Sequence, residues 1–169
     1  MRCISILFLA LVFTIPSVAQ TRLTPGAQAP AFASSSLDGG YYDLSAMHGS
    51  VVVLTFWSTK CEICRGEIPK LNNFAASYDE NRVVFLALTM EHEDKVEAYL
   101  KGNPFKFHVL PDSFGVVLQY ADRDKSGNID MGFPSYFVID QNGMLVYRAN
   151  GWDKTNELST RIGQLLASK

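Results

Sequence analysis

The chain has little cysteine, no excess of one charge, and no long hydrophobic run after its first 15 residues. With 3 Cys among 169 residues, it cannot be a miniprotein held together by several disulfides. The 15 Lys and Arg nearly balance the 17 Asp and Glu, so the composition predicts no nucleic-acid partner and no acidic tail. The hydrophobic fraction of 47% is typical of a folded chain, and this length predicts one domain with a sizeable core.

Residues 1–19 have the pattern of a secretory signal peptide. Arg2 supplies a positive charge, an uncharged apolar run extends from Cys3 to Ile15, and small residues follow shortly after it. A membrane-spanning helix needs roughly 20 apolar residues, more than this run provides. We therefore predict cleavage near Ala19, which leaves a periplasmic or otherwise exported domain at 20–169. The alternative is a protein that stays anchored to the membrane by an uncleaved segment.

Apolar periodicity predicts alternating strands and helices. Continuous β-branched and aromatic runs at Val51–Trp57 and Val83–Leu88 are typical of strands that are buried on both faces. A tight turn near Gly143 separates two further strands, Tyr136–Ile139 and Met144–Tyr147, which predicts an antiparallel hairpin. The fold class is therefore α/β, with a mixed central sheet flanked by helices. The remaining predicted elements are a strand at Phe105–Leu110 and helices at Cys61–Ala76, Glu91–Lys101, Phe114–Tyr120 and Thr155–Leu166.

A pair of cysteines separated by two residues follows the first buried strand and opens the first helix. This spacing brings Cys61 and Cys64 close enough to form a disulfide. The sulfur of Cys61, at the helix start, lies near unpaired N–H groups and the positive end of the helix dipole, which favour the thiolate. Cys64 lies one turn deeper and is better shielded. We predict a redox-active pair in which Cys61 is the attacking thiol and Cys64 the resolving thiol.

Metal binding and a purely structural disulfide are the alternatives to redox chemistry. A zinc site needs further ligands, but the sequence has no second pair of this kind, and His48, His92 and His108 are scattered. A four-residue disulfide loop constrains the unfolded chain little. Soft thiolates suit Cu(I), so a Cu(I)-binding assembly factor remains an alternative function, although no histidine is spaced to complete the site. We expect no metal and no cofactor.

The segment from Asp122 to Asp130 matches the first nine positions of an EF-hand calcium loop. Asp122, Asp124, Ser126 and Asp130 provide oxygens at the required spacing, with a glycine at the turn. The twelfth position is Phe133, however, so the bidentate glutamate is missing. We therefore expect a polar surface insertion rather than a calcium site.

The stretch Val53–Leu71 resembles the active-site segment of thioredoxin-like thiol–disulfide oxidoreductases, in the TlpA/ResA-like branch of the AhpC/TSA–redoxin superfamily. The likeness extends to His108–Asp112 and Gly132–Asp140 and covers nearly all of the chain after residue 19. It implies a thioredoxin-like fold with an N-terminal extension. It also implies reduction of disulfides in envelope proteins, apocytochrome c among them, with a membrane-bound electron donor. An oxidase that introduces disulfides is the alternative direction.

The resemblance assigns roles to residues outside the cysteine pair. It implies that Phe133 and Pro134 are joined by a cis peptide bond that faces the disulfide and binds substrate. It also implies that Glu67 lies near the active site, where a partly buried carboxylate could accept or return the proton of Cys64. The alternative for Glu67 is a solvated glutamate in the first part of the helix.

Three residues near the cysteines depart from the family pattern. Thr55 stands where thioredoxins proper carry a buried aspartate, so that proton relay is absent. Lys60 replaces the usual aromatic residue before the first cysteine and adds a cation there. Ile63 replaces the frequent proline between the cysteines. These departures bear on the reduction potential and the substrate rather than on the chemistry.

Overall fold

The computed structural model describes residues 22–168 and has the predicted α/β fold. The predicted signal peptide and its cleavage site lie outside the described residues. No helix between residues 22 and 168 is long and apolar enough to span a membrane. The strands are β1 (Ala33–Ser35), β2 (Tyr41–Asp43), β3 (Val51–Phe56), β4 (Val83–Leu88), β5 (His108–Leu110), β6 (Asp122–Arg123), β7 (Ile129–Asp130), β8 (Ser135–Ile139) and β9 (Leu145–Asn150). The helices are α1 (Glu62–Ala75), α2 (Glu93–Leu100), α3 (Phe114–Tyr120) and α4 (Thr155–Ala167), with a 3-10 turn at Leu44–Ala46.

The central sheet has five strands in the order β5-β4-β3-β8-β9. Strands β3, β4 and β5 are parallel, whereas β8 and β9 form the predicted antiparallel hairpin. At the end of β3, Phe56 pairs with Leu88 on one side and with Ser135 on the other. The chain leaving β3, β4 and β9 and the chain entering β8 therefore meet at one end of the sheet. We call this end the carboxyl edge.

Strand β3 is buried on both faces because its side chains alternate between two hydrophobic clusters. Val51 and Val53 belong to the cluster that includes residues of α1, α2 and α4. Val52, Leu54 and Phe56 belong to the other cluster, which includes residues of α3 and of the N-terminal segment. Helices therefore cover both faces of the sheet, and β3 is fixed at its centre.

The β1–β2 hairpin is fastened to the edge strand β5. Leu37 donates a backbone hydrogen bond to Val109 (2.9 Å), and the Asp38 carboxylate contacts Nδ1 of His108 at 2.6 Å. The Ser36 hydroxyl and the Gly40 amide also donate hydrogen bonds to Asp38. Burial acts to raise the pKa of Asp38, but these hydrogen bonds outweigh it, so the pKa lies below its ordinary value.

The depressed pKa of Asp38 predicts an acid-sensitive contribution to stability. Because the folded pKa is below the unfolded value of about 3.9, this contribution is present above that pH and is lost as the pH falls through the folded pKa. Between about pH 5 and pH 2, the urea midpoint of the wild type should therefore fall further than that of Asp38→Asn. Asp130→Asn, at an exposed position of β7, should follow the wild type. Parallel curves for wild type and Asp38→Asn would contradict the prediction.

Candidate active site

The two cysteines lie at the carboxyl edge and are joined by a disulfide. Cys61 is the N-cap of α1, and its Sγ accepts a hydrogen bond from the backbone N–H of Cys64 (3.0 Å). This satisfies one of the amides that a helix leaves unpaired at its N-terminus. Cys61 is partly exposed, whereas Cys64 is only 2% exposed. An incoming thiol or disulfide can therefore reach Cys61 more readily than Cys64.

Glu67 lies one turn after Cys64 on α1 and is 3% exposed. This burial is incompatible with the solvated glutamate considered as the alternative. Its carboxylate accepts hydrogen bonds from Nζ of Lys70 (2.9 Å) and from the backbone N–H of Asp153 (2.7 Å). The hydrogen bond with Glu67 raises the pKa of Lys70, which therefore stays a cation. The carboxylate is therefore held by contacts on two sides, one from α1 and one from the chain after β9.

A loop after β9 connects Glu67 to the proline that was predicted to bind substrate. The peptide bond between Phe133 and Pro134 is cis. The carbonyl of Pro134 accepts a hydrogen bond from Gly151 (2.9 Å), two residues before the amide of Asp153 that contacts Glu67. Gly151 and Asp153 both have positive φ, +87° and +58°, so the loop turns tightly. Residues from α1, from before β8 and from after β9 therefore meet at one site.

An exposed apolar surface adjoins the disulfide. Ile63, between the two cysteines, is 49% exposed, and Trp152 is 66% exposed. They line a shallow groove together with Gly66, Glu67 and Lys70, and the Lys70 ammonium lies 5.8 Å from the centre of the Trp152 ring. The sequence motifs gave no role to Trp152, although a tryptophan outside the apolar periodicity, next to a glycine, was an available signal.

A carboxylate from another segment holds the loop that precedes Cys61. Glu91 accepts hydrogen bonds from the backbone N–H of Thr59 (2.6 Å) and from its hydroxyl (2.7 Å). Lys95 also donates to Glu91. Burial acts to raise the pKa of Glu91, but the hydrogen bonds from Lys95 and Thr59 outweigh it, so the pKa is lowered. Nothing in the sequence indicated this contact, because the two partners are 32 residues apart.

Thr55, which stands where thioredoxins proper carry a buried aspartate, has a buried tyrosine as its cross-strand partner. Thr55 pairs with Tyr136 across β3 and β8. Both residues are buried, and within residues 22–168 neither hydroxyl has a hydrogen-bond partner. Burial raises the pKa of Tyr136, and the nearby charge of Glu67 acts in the same direction. Both groups are therefore neutral, which leaves Glu67 as the buried carboxylate of this region.

The segment with the partial calcium motif forms the short β6–β7 hairpin. The carboxylate of Asp122 pairs with Arg148 (2.9 and 3.0 Å) and contacts Arg22 (3.2 Å). Asp124 accepts hydrogen bonds from the backbone amides of Ser126 and Asn128. Across the part of the chain that the structure describes, no three His, Cys, Asp or Glu residues are placed to hold a metal ion. The carboxylates of Asp122 and Asp124 thus have protein partners of their own.

A family model, curated relatives and solved structures are all similar to this chain. Residues 25–148 match the model of the AhpC/TSA family. Thiol-disulfide oxidoreductase ResA of Bacillus thuringiensis subsp. konkukian (strain 97-27) is 30% identical over 147 residues, which cover 86% of this chain and 81% of the relative. Thioredoxin-like protein YneN of Bacillus subtilis (strain 168) is 30% identical over 123 residues, or 71% of this chain and 68% of the relative. The crystal structure of a protein proposed to be thiol:disulfide interchange protein DsbE, from Chlorobium tepidum, superposes with a TM-score of 0.72 at 27% identity and covers 86% of this chain and 99% of that chain.

The two hydrogen bonds to Glu67 predict that this side chain contributes to stability. In Glu67→Ala, the amide of Asp153 loses its acceptor, and the cation of Lys70 loses its partner. We expect the free energy of unfolding in urea to fall by about 1–3 kcal/mol. Glu62→Ala on the same helix removes an exposed pair with Arg65 and should change it by less than about 0.5 kcal/mol. Equal effects of the two substitutions would contradict the prediction.

Proposed function

This chain belongs to the AhpC/TSA family and is a thiol–disulfide oxidoreductase, and we propose that it reduces disulfides in other proteins of the cell envelope. The observation that carries the proposal is the placement of the cysteine pair. Cys61 is partly exposed at the N-terminus of α1 and is bonded to the buried Cys64. Export by residues 1–19 would bring the domain to this compartment, where disulfides form in other proteins.

The exchange has two steps. The thiolate of Cys61 attacks one sulfur of the substrate disulfide, which forms a mixed disulfide and releases the other substrate sulfur as a thiolate that takes up a proton. The thiolate of Cys64 then attacks Sγ of Cys61 and releases the second substrate sulfur. Two electrons have passed to the substrate, and the enzyme is left with the Cys61–Cys64 disulfide. A membrane-bound dithiol donor would return the two electrons.

Glu67 is the residue we propose to accept the proton of Cys64 before the second step. The two residues are three positions apart on α1, so they are neighbours on one face of the helix. Both are buried, which leaves little water to take the proton instead. Lys70 contacts the carboxylate and is half exposed itself, so it links Glu67 to the solvent. A general base must come within hydrogen-bond reach of the proton, directly or through one water, and the three-residue spacing on α1 favours such an approach.

A polypeptide substrate fits the surface around the disulfide. Phe133 and Pro134 precede β8 at the carboxyl edge, and Phe133 and Cys61 pack against the same buried cluster. We propose that the substrate chain lies across Phe133 and Pro134. Its apolar side chains would contact Ile63 and Trp152, the exposed apolar residues of the groove. Apocytochrome c, which presents paired cysteines before haem attachment, is one candidate of this class.

Serine substitutions separate the two steps. Cys61→Ser removes the attacking sulfur, so reduction of insulin disulfides with dithiothreitol as donor should fall to the uncatalysed rate. Cys64→Ser keeps the first step but cannot resolve it, so a mixed disulfide with the substrate should accumulate and appear by mass spectrometry under non-reducing conditions. A Cys61→Ser protein that still turns over would overturn the mechanism.

The direction of the reaction is tested by the reduction potential of the Cys61–Cys64 pair. A redox-buffer titration of protein beginning at Gln20, with thiol alkylation as the readout, measures it directly. A reductant should give a value of about −270 mV or lower, as thioredoxin does. A value near about −120 mV, typical of strong periplasmic oxidants, would show that the protein introduces disulfides and would overturn the proposed direction.

A further inference from the structure

We propose that Glu91 is a positioning residue for the exchange reaction, because its carboxylate fixes the loop from which Cys61 emerges. The inference rests on the function proposed above. It concerns two residues outside the cysteine motif: Glu91, whose side chain accepts, and Thr59, whose backbone N–H and hydroxyl donate. Neither residue belongs to α1 or to the groove beside the disulfide.

The contact is a two-point clamp on a single residue. One carboxylate oxygen of Glu91 accepts the backbone N–H of Thr59 at 2.6 Å, and the other accepts the hydroxyl of Thr59 at 2.7 Å. Hydrogen bonds to an ionised carboxylate are stronger than those between neutral groups. Because one bond holds the main chain and the other the side chain, the backbone of Thr59 cannot move away from Glu91 without breaking both.

Glu91 can act as an anchor because the sheet holds it in turn. It lies three residues beyond the end of β4, and its backbone carbonyl accepts a hydrogen bond from Asp112 (3.0 Å), in the chain after β5. Its backbone N–H bonds to the hydroxyl of Thr89 (3.3 Å), and Lys95 of α2 donates to its carboxylate. The position of Thr59 is therefore tied to the carboxyl edge of the sheet.

The clamp acts on Cys61 because Thr59 is only two positions before it in the chain. The loop Ser58–Lys60 contains short local hydrogen bonds, from Cys61 to the Ser58 carbonyl (3.1 Å) and from Lys60 to the Ser58 hydroxyl (3.2 Å). These bonds shape the turn, and Cys61 is itself joined to α1, where its carbonyl accepts a hydrogen bond from Arg65 (3.1 Å). Without Glu91, the turn would lose its attachment to the chain after β4, and the sulfur at the helix start would be held from the α1 side alone. A displacement of about 1 Å in a reacting group can cost up to 100-fold in rate.

Positioning and charge predict opposite outcomes for Glu91. A negative charge near the attacking sulfur disfavours the thiolate, so neutralising Glu91 by itself should speed the exchange. Loss of the clamp should slow it, with an effect on kcat rather than KM, because Glu91 lies outside the groove that adjoins the disulfide. The sign of the rate change therefore distinguishes the two roles.

The test compares matched variants of the full-length chain in insulin reduction. Thr59→Val keeps the shape but loses the hydroxyl donor, whereas Thr59→Ser keeps both donors. Glu91→Met removes both acceptor oxygens together with the charge, whereas a glutamine could still accept the Thr59 amide and donate to its hydroxyl. Glu97→Met is the control at an exposed position of α2. We expect kcat to fall about three- to tenfold in Thr59→Val and Glu91→Met, with KM within about twofold of the wild type. Thr59→Ser and Glu97→Met should keep the wild-type rate.

The double variant Thr59→Val/Glu91→Met should lose no more rate than Glu91→Met alone, because the hydroxyl bond that Thr59→Val removes is already absent in Glu91→Met. Multiplied losses, an unchanged kcat, or a faster Glu91→Met would each overturn the inference. So would a lowered unfolding midpoint with unchanged kcat in the folded protein, since that shows a merely structural role. A wild-type chain that does not reduce insulin would instead overturn the proposed function, and this inference with it.

Discussion

The N-terminus of α1 is the point on which the chemistry of this protein depends. A helix start leaves backbone amides without partners, and here the sulfur of Cys61 accepts one of them. The same amides and the helix dipole favour a thiolate at that position over a thiol. The helix can start there because β3, the central strand, ends at Phe56. This strand is fixed between the two hydrophobic clusters that cover the faces of the sheet. Core packing thus determines where the reactive sulfur lies.

Around the N-terminus of α1, hydrogen bonds between segments that are distant in sequence fix the loops of the site. The loop after β9 donates one amide to Pro134 and another to Glu67, which joins the chain before β8 to helix α1. The loop before Cys61 is held in a similar way by Glu91, from the chain after β4. Each of these segments leaves or enters the sheet at the carboxyl edge. The parallel strands β3 and β4 end at this edge, and their antiparallel neighbour β8 begins there, so the loops that connect them lie close together. Ligands of open α/β sheets bind at the carboxyl ends of the strands for the same reason.

The differences between predicted and observed elements have local physical causes. The helix predicted at Glu91–Lys101 begins at Glu93, and Glu91 remains outside it with its carboxylate bonded to Thr59. The strand predicted from Phe105 begins only at His108. The rings of Phe105 and Phe107 pack in the core against Trp57 and Phe85, and the backbone of these residues does not join the sheet. In both places a tertiary contact outweighs local propensity. The buried runs of β3 and β4 were predicted within one residue, since burial on both faces leaves an unambiguous pattern.

The sequence by itself determined the fold class, the strand–CxxC–helix arrangement and the closeness of the two cysteines, because these follow from apolar periodicity and from spacing within one helical turn. Glu67 and the Phe133–Pro134 bond were marked through a family resemblance. Only the tertiary structure decided that Glu67 is buried and held by Asp153, that Trp152 lines a groove with Ile63, and that Glu91 holds the loop before Cys61. The hydrogen bonds of Glu91 and Glu67 join residues 32 and 86 positions apart, and no local pattern encodes which distant groups will meet once the sheet has formed.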